Sequence, residues 1–121
     1  MGRVLRVLIA DDRSRSRSGL RAILAMCPDL EVVGEAIDGQ ESVALAATIH
    51  PDVVLMDMCM PVMDGETAIR EINRLFPRIR VIALSLYREY EERALAAGAE
   101  AFLLKGCSAE TLFAAMHGGA M

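Results

Sequence analysis

Four places in this 121-residue chain hold side chains capable of ionic or nucleophilic chemistry directly after a short aliphatic run. Asp11-Asp12 follows Val4 to Ala10, Asp57 follows Asp52 to Met56, Ser85 follows Arg80 to Leu84, and Lys105 follows Ala101 to Leu104. Any one of them alone reads as an ordinary cap or loop residue, because Asp and Ser often satisfy the free amides of a following helix. Together they form a coherent set. Three carboxylates brought into one dry cleft repel one another and are strained unless a cation is bound. Hard oxygen ligands favour Mg²⁺, which keeps several of its waters. A carboxylate beside a divalent cation and an ammonium suits attack on phosphorus, where charge on the transferring oxygens must be neutralised. Asp57 is the natural nucleophile, being central and ending the most apolar run. Lys105 and Ser85 are then suited to hold the oxygens of the incoming group, the serine through its hydroxyl hydrogen.

That set converges only if the elements carrying it bring their ends to one edge. The four runs above, with Glu31 to Ala36, predict five strands. Helical spacing lies between them, at Leu20, Ile23, Leu24 and Cys27 and again at Ala68, Ile69, Ile72, Leu75 and Phe76. A second helix follows Asp38-Gly39, a fourth begins near Tyr87, and the last starts at Ser108, an N-cap before Leu112, Phe113 and Met116. His117-Gly118-Gly119 reads as its end. The pattern is (βα)5, an α/β domain with a parallel sheet covered on both faces. Val53 to Met56 and Val81 to Leu84 suit buried central strands, while Glu31 and Glu35 bracket an edge strand. In such a sheet the strand-to-helix loops open at the carboxyl ends, which is where ligands bind.

The length suits one domain, and a composition 54% hydrophobic and 25% charged excludes a disordered segment. A net charge of −4 gives no basic field, so this segment is not expected to bind nucleic acid directly. The three cysteines, Cys27, Cys59 and Cys107, are odd in number and lack CxxC spacing, which suggests neither a disulfide framework nor a zinc site. A reducing cytoplasm is the simplest compartment. No run approaches the roughly 20 apolar residues of a membrane helix, and no cleavable leader is evident. Arg6 stands where a myristoylation signal beginning at Met1-Gly2 needs Ser or Thr. There is no internal repeat or low-complexity tract.

Several segments carry a family resemblance over essentially the whole chain: Ile9-Ala10-Asp11-Asp12, the stretch from Val53 through Asp57 and Pro61 to Asp64-Gly65, Ala83-Leu84-Ser85, and Ala97-Gly98-Ala99 running to Phe102-Leu103-Leu104-Lys105. The chain resembles the response-regulator receiver domains of two-component signalling. Pro28 to Ala36 and Leu103-Leu104-Lys105 resemble the NarL/FixJ (LuxR-type) branch, whose members usually add a C-terminal helix-turn-helix. On that resemblance residues 1–121 are the receiver domain, and a helix-turn-helix domain is missing from this chain.

The resemblance implies a flavodoxin-like, doubly wound sheet in the strand order 2-1-3-4-5. It makes Asp57 the phospho-acceptor, Asp11 and Asp12 the acidic pair that binds Mg²⁺ with Asp57, and Lys105 the phosphate-binding lysine. Ser85 becomes the switch hydroxyl and Phe102 the switch aromatic, which moves inward when the hydroxyl is drawn to the phosphate. Cys59 falls where the family lends a backbone carbonyl to the metal. The implied donor is a sensor histidine kinase. The implied output is a changed surface on the fourth helix and fifth strand, promoting dimerisation or releasing a linked DNA-binding domain to control transcription. Such a domain contributes catalysis to its own phosphorylation and dephosphorylation without being an enzyme in its own right. Phe102 replaces the frequent Tyr, and Gly106 follows Lys105 where many receivers have proline. A cis bond is common there in the family; at a non-proline residue it costs about 3 kcal/mol, which leaves the geometry of Lys105-Gly106 open.

Two other classes are weaker. A haloacid-dehalogenase-like phosphatase also uses an aspartyl nucleophile but needs a second aspartate two residues on, where Cys59 stands. A phosphorylation-independent interaction module need not retain all of Asp11, Asp12, Asp57, Ser85 and Lys105. Cys59 has no amide to position water, and Tyr87 is placed to shield a phosphoryl group, so slow dephosphorylation is expected. Met58, Met60 and Met63 form either an adaptable docking surface or plain core filling. Arg13, Arg15 and Arg17 alternate with serines and read as a solvated helix face, the alternative being that Arg13 meets phosphate or a kinase. Tyr87 and Tyr90 are interface anchors or half-buried packing. His50 and His117 stand alone, with no second ligand at metal spacing, and receive no role.

Overall fold

Five parallel strands and five helices alternate along residues 3–118, the part of the chain that the computed structural model describes. The strands are β1 (Leu5–Ala10), β2 (Leu30–Ala36), β3 (Val53–Asp57), β4 (Arg80–Ser85) and β5 (Ala101–Leu104). The helices are α1 (Ser14–Leu24), α2 (Gly39–Ile49), α3 (Gly65–Leu75), α4 (Glu91–Ala97) and α5 (Ala109–Met116). The sheet order is β2-β1-β3-β4-β5, the doubly wound arrangement anticipated. Met1-Gly2 and Gly119 lie outside the described residues. Among those described, no helix is long and apolar enough to cross a membrane.

The two faces of the sheet follow from side-chain alternation. Leu8, Ala10, Val54, Met56, Val81 and Ala83 point to one side, where Ala46 of α2, Ala68, Ile69 and Ile72 of α3, and Ala94 and Ala97 of α4 cover them. Val7, Ile9, Val53, Leu55, Ile82 and Leu84 point to the other, under Leu20, Ile23 and Leu24 of α1 and Leu112, Ala115 and Met116 of α5. All five residues of β3 are buried, because it lies between β1 and β4 and is covered on both faces. Each large aliphatic side chain removed from water there contributes about 1.5–3 kcal/mol.

Caps set most of the helix starts. The Asp38 carboxylate accepts from Glu41 N–H at 2.7 Å, Asp64 accepts from Thr67 N–H at 2.9 Å, and the Ser108 hydroxyl accepts from Thr111 N–H at 3.1 Å. The helical spacing overreaches in two places. The helix α1 stops at Leu24, and Cys27 sits in the turn beyond it, because the Pro28 that follows disfavours helical backbone before it. Leu75, expected on the core face of α3, is 43% exposed at the frayed end of that helix. The fourth helix opens with one 3₁₀ turn, Arg88–Tyr90, before α4 begins.

One arginine ties the far edge of the sheet to the end of α5. Arg80 donates through Nε and Nη2 to both oxygens of Glu100, at 2.8 and 2.9 Å, and through Nη1 and Nη2 to the carbonyls of Met116 and Ala115, both at 2.8 Å. Those carbonyls belong to the last turn of α5, where Ala115 also accepts from the Gly118 N–H at 3.1 Å. Arg80 first holds the Glu100 carboxyl below its ordinary value of 4.5.

Arg80→Ala should therefore lower stability by about 1–3 kcal/mol in urea denaturation, with an unchanged slope against denaturant. The carboxylate's share is about 1 kcal/mol or less, since solvent screens the pair. A depressed carboxyl pKa stabilises the fold above the unfolded value and ceases to do so as pH falls through the folded one. The deficit of the variant should shrink below pH 4.5 and keep the part due to the two carbonyls. Gly65 gives a sharper test, since a Cβ there would sit 2.3 Å from the Asp57 carbonyl oxygen and 2.6 Å from Met58 Cα. Neither atom can swing away. Gly65→Ala is expected to lose about 1–3 kcal/mol or more on the same measurement.

Candidate functional site

Sheet register brings the polar set together. β1 and β3 pair Ala10 with Met56, so one further step along each strand sets Asp11 beside Asp57. β3 and β4 pair Asp57 with Leu84, and β4 and β5 pair Ser85 with Leu104. Lys105 is the next residue, and its amide donates to the Ser85 carbonyl at 2.8 Å. The strands run longer at this edge than the sequence pattern implies: Asp57 and Ser85 are the last strand residues, not the first loop residues. The Met58 N–H continues the ladder by donating to the Leu84 carbonyl at 3.0 Å.

The Lys105 ammonium lies 2.8 Å from Asp11 Oδ2 and 3.5 Å from Asp57 Oδ2. Asp11, Asp57 and Ser85 are all buried, and Asp12 is exposed. The two buried carboxylates respond differently. Burial pushes Asp11 up, but Lys105, the Ser16 hydroxyl at 2.5 Å and the Arg13 N–H at 2.9 Å outweigh it and hold the carboxyl below its ordinary range. Burial also pushes Asp57 up, the Asp11 charge adds to it, and Lys105 with the Cys59 N–H at 3.3 Å does not compensate. The Asp57 carboxyl therefore sits above its ordinary value.

Asp11, Asp12 and Asp57 each offer one carboxylate oxygen, all within 4.8 Å of one another. A hard, oxygen-only donor set of that span fits a small divalent cation. Beside it, Arg13, Asp57, Cys59, Ser85, Leu86, Tyr87 and Lys105 line a cavity of about 30 Å³. The Ser85 hydroxyl oxygen accepts from the Tyr87 N–H at 3.0 Å, which leaves its own hydrogen free. Phe102 is half-buried on β5 and packs with Tyr90 against the core of the α4 side. Lys105-Gly106 is not cis: the described residues contain no cis bond, and Gly106 takes φ +90°, a conformation glycine adopts without cost.

Two contributors escaped the sequence. Arg17, expected on a solvated face, is largely buried: its Nη1 donates to the Asp11 carbonyl at 2.7 Å and its Nε to Glu35 at 2.8 Å. Arg21 also binds Glu35, at 2.6 Å. The spacing of Arg17 and Arg21 on one helix face was visible, but their shared partner lies on the edge strand β2. Ser16 was passed over as part of the serine-arginine alternation. Arg13 itself is exposed and lines the cavity, and Arg15 is exposed. Among the methionines, Met58 and Met60 are buried and Met63 half-buried, which makes them core filling.

The response regulator receiver domain profile matches residues 7–117. Over 119 residues the chain is 42% identical to YhcZ, an uncharacterized transcriptional regulatory protein of Bacillus subtilis, covering 95% of this chain and 56% of that protein. It is 39% identical to the response regulator VraR of Staphylococcus aureus over 110 residues, 89% of this chain and 53% of that one. The chain thus spans about half the length of these relatives. Among solved structures, the response regulator domain of Thermotoga maritima CheB superposes with a TM-score of 0.88 at 35% identity, covering 95% of each chain. The receiver domain of the NarL regulator of Mycobacterium tuberculosis gives 0.86 at 31% identity, over 97% of this chain and 99% of that one. The strand order, the profile over nearly the full length and the run of LuxR- and NarL-type relatives agree: this chain belongs to the response regulator receiver domains.

Proposed function

We propose that this receiver takes a phosphoryl group on Asp57 from the phosphohistidine of a sensor histidine kinase, and that the acyl phosphate switches its surface. The observation that carries the reading is the single ammonium of Lys105 set between the carboxylates of Asp11 and Asp57, at the mouth of a cavity also lined by Ser85. An oxygen of Asp57 forms the bond to phosphorus as the donor's phosphorus–nitrogen bond breaks, and the electron pair stays on the imidazole nitrogen. Lys105 and the free hydrogen of the Ser85 hydroxyl meet the transferred oxygens. Asp11, Asp12 and Asp57 would hold Mg²⁺, with the Cys59 backbone carbonyl as a further ligand; when bound, the ion neutralises charge on those oxygens. The domain thereby supplies catalysis for its own phosphorylation.

The small size of the cavity supports a conformational consequence. The cleft is narrow, about 30 Å³, and partly open to solvent, so a phosphoryl group held there lies against the Leu86-Tyr87 loop that forms part of its lining. Both residues are more than half exposed. Drawing Ser85 to the phosphate breaks its contact with the Tyr87 amide, and Phe102 takes the space this opens. The surface that changes is that of α4 and β5, read out by self-association or by a linked C-terminal helix-turn-helix domain. The transcriptional regulators among its longer relatives support transcription as the output. The reaction places the domain in the cytoplasm.

Incubation with acetyl phosphate and Mg²⁺ should add one phosphoryl group to the intact mass, and Asp57→Asn should abolish the gain. A gain without Mg²⁺, or one that persists in Asp57→Asn, would sink the reading, and no gain under any condition would favour a phosphorylation-independent module. The phosphorylated form should also be long-lived, because Tyr87 and Cys59 line the cavity without an amide to position water. Tyr87→Ala and Cys59→Asn should each release phosphate several-fold faster; rates equal to the parent's would remove that claim.

A further inference from the structure

We propose that Cys27, Asp29 and His117 form a second metal site, of transition-metal character and suited to Zn²⁺, at the opposite edge of the sheet from the acidic pocket. The sequence gives little hint of it, since His117 is separated by nearly the whole chain from Cys27 and Asp29, which lie two residues apart. The fold closes that gap. The turn after α1 and the end of α5 meet, and one ligand atom from each of the three residues lies within 4.8 Å of the others. His117 Nε2 is 3.8 Å from Asp29 Oδ2.

The imidazole is oriented as a ligand. Its Nδ1 lies 2.8 Å from the Phe113 carbonyl oxygen, which can only accept, so Nδ1 carries the hydrogen. In the neutral ring Nε2 then holds the lone pair, and it is the atom that lies 3.8 Å from Asp29 Oδ2. A backbone carbonyl that fixes the tautomer in this way is the usual support of a metal-bound histidine. The other two ligands are held from behind. Cys27 N–H donates to the Leu24 carbonyl at 3.0 Å, the Cys27 carbonyl accepts from Leu30 N–H at 3.1 Å, and the Asp29 carbonyl accepts from Leu5 N–H at 2.8 Å. The backbone of this turn is pinned, and only side-chain torsions need adjust.

The dimensions agree. Metal–ligand bonds of about 2.0–2.3 Å put neighbouring ligand atoms of a tetrahedral zinc about 3.3–3.7 Å apart, so closure from separations of at most 4.8 Å asks for about 1.5 Å or less. Thiolate, imidazole and one carboxylate select zinc-class ions over Mg²⁺, which prefers oxygen alone. Cys27 is half-buried while Asp29 and His117 are exposed, so an ion can enter and a water can complete its shell. Binding exchanges the Cys27 S–H bond for a sulfur–metal bond and passes the proton to solvent. A pairing of His117 with Asp29 for stability alone would give no metal binding.

The test uses Co²⁺ as a spectroscopic probe and Zn²⁺ as its competitor, in excess Mg²⁺ to occupy the acidic pocket. In the Cys59→Ser/Cys107→Ser chain, where Cys27 is the one remaining thiol, one Co²⁺ per chain should give a near-ultraviolet sulfur-to-cobalt band that Zn²⁺ abolishes. In the otherwise native chain, His117→Ala should weaken Zn²⁺ binding at least about tenfold, as measured against a chromophoric chelator. His117 is exposed, so its melting temperature without metal should stay near the parent's. Absence of the band from the double variant, or a Zn²⁺ affinity unmoved by His117→Ala, would overturn the proposal. Asp57→Asn should leave both readouts unchanged, which separates this site from the phosphoryl chemistry.

Discussion

Two buried carboxylates share one ammonium, and the share is unequal. Lys105 stands 0.7 Å nearer Asp11 than Asp57, from separations of 2.8 and 3.5 Å. Asp11 also collects the Ser16 hydroxyl and the Arg13 amide, so it stays ionised at little cost. Asp57 has a single long bond from the Cys59 amide, and burial keeps its carboxyl above the ordinary range. The rest of the site follows from that imbalance. A well-compensated carboxylate is a good fixed ligand and a poor nucleophile. A poorly compensated one is strained until a cation or a phosphoryl oxygen restores the balance of charge, and the strain is removed by the events proposed for it.

The imbalance depends on backbone positions that the rest of the fold has to hold. Asp11 follows the last residue of β1 and has its carbonyl gripped by Arg17, which is itself fixed by Glu35 on the neighbouring edge strand. Glu35 is kept below its ordinary range by Arg21 foremost and then by Arg17, so the clamp stays ionised. Asp57 is held from the other side, where Gly65 admits α3 so close that the Asp57 carbonyl lies where a side chain would begin. The Gly65 N–H donates to the Met58 carbonyl at 3.1 Å and closes the loop that carries Cys59. Helix α1 and a glycine on α3 thus fix the backbone positions of the two carboxylates from outside the pocket.

The sequence was most legible where one residue type had one physical reason to be present. Aliphatic runs buried on two faces marked β3 and β4, and the polar residues ending them marked the site, because a parallel sheet gathers its strand ends at one edge. Legibility failed where a role depended on a partner distant in sequence. Arg17 looked like one member of a charged alternation, since nothing local reveals that Glu35 comes back beside it. Leu75 satisfied the helical period, yet the period says nothing of where a helix outruns its sheet. His117 looked solitary for the same reason as Arg17. The spacing rules for metal ligands describe sites built on one loop or helix, not one assembled from the two ends of a domain.

The two proposed cation sites have opposite chemistries and opposite positions, and the fold explains both. Strand carboxyl ends collect the residues of the acidic pocket, where three oxygen donors suit a hard ion. Helix α5 runs back against the strands, so its last residue arrives at the amino-terminal edge, beside the turn that feeds β2. Sulfur and nitrogen donors there neither compete for Mg²⁺ nor intrude on phosphoryl transfer. The two places are nonetheless joined through shared strands. β1 begins at Leu5, hydrogen-bonded to Asp29, and ends one residue before Asp11, while α5 is tied through Arg80 to β4, which ends at Ser85. An ion that fixed the end of α5 would stiffen the two strands that lead to Asp11 and Ser85. Such coupling needs no wire of contacts between the sites, only rigid strands shared by both.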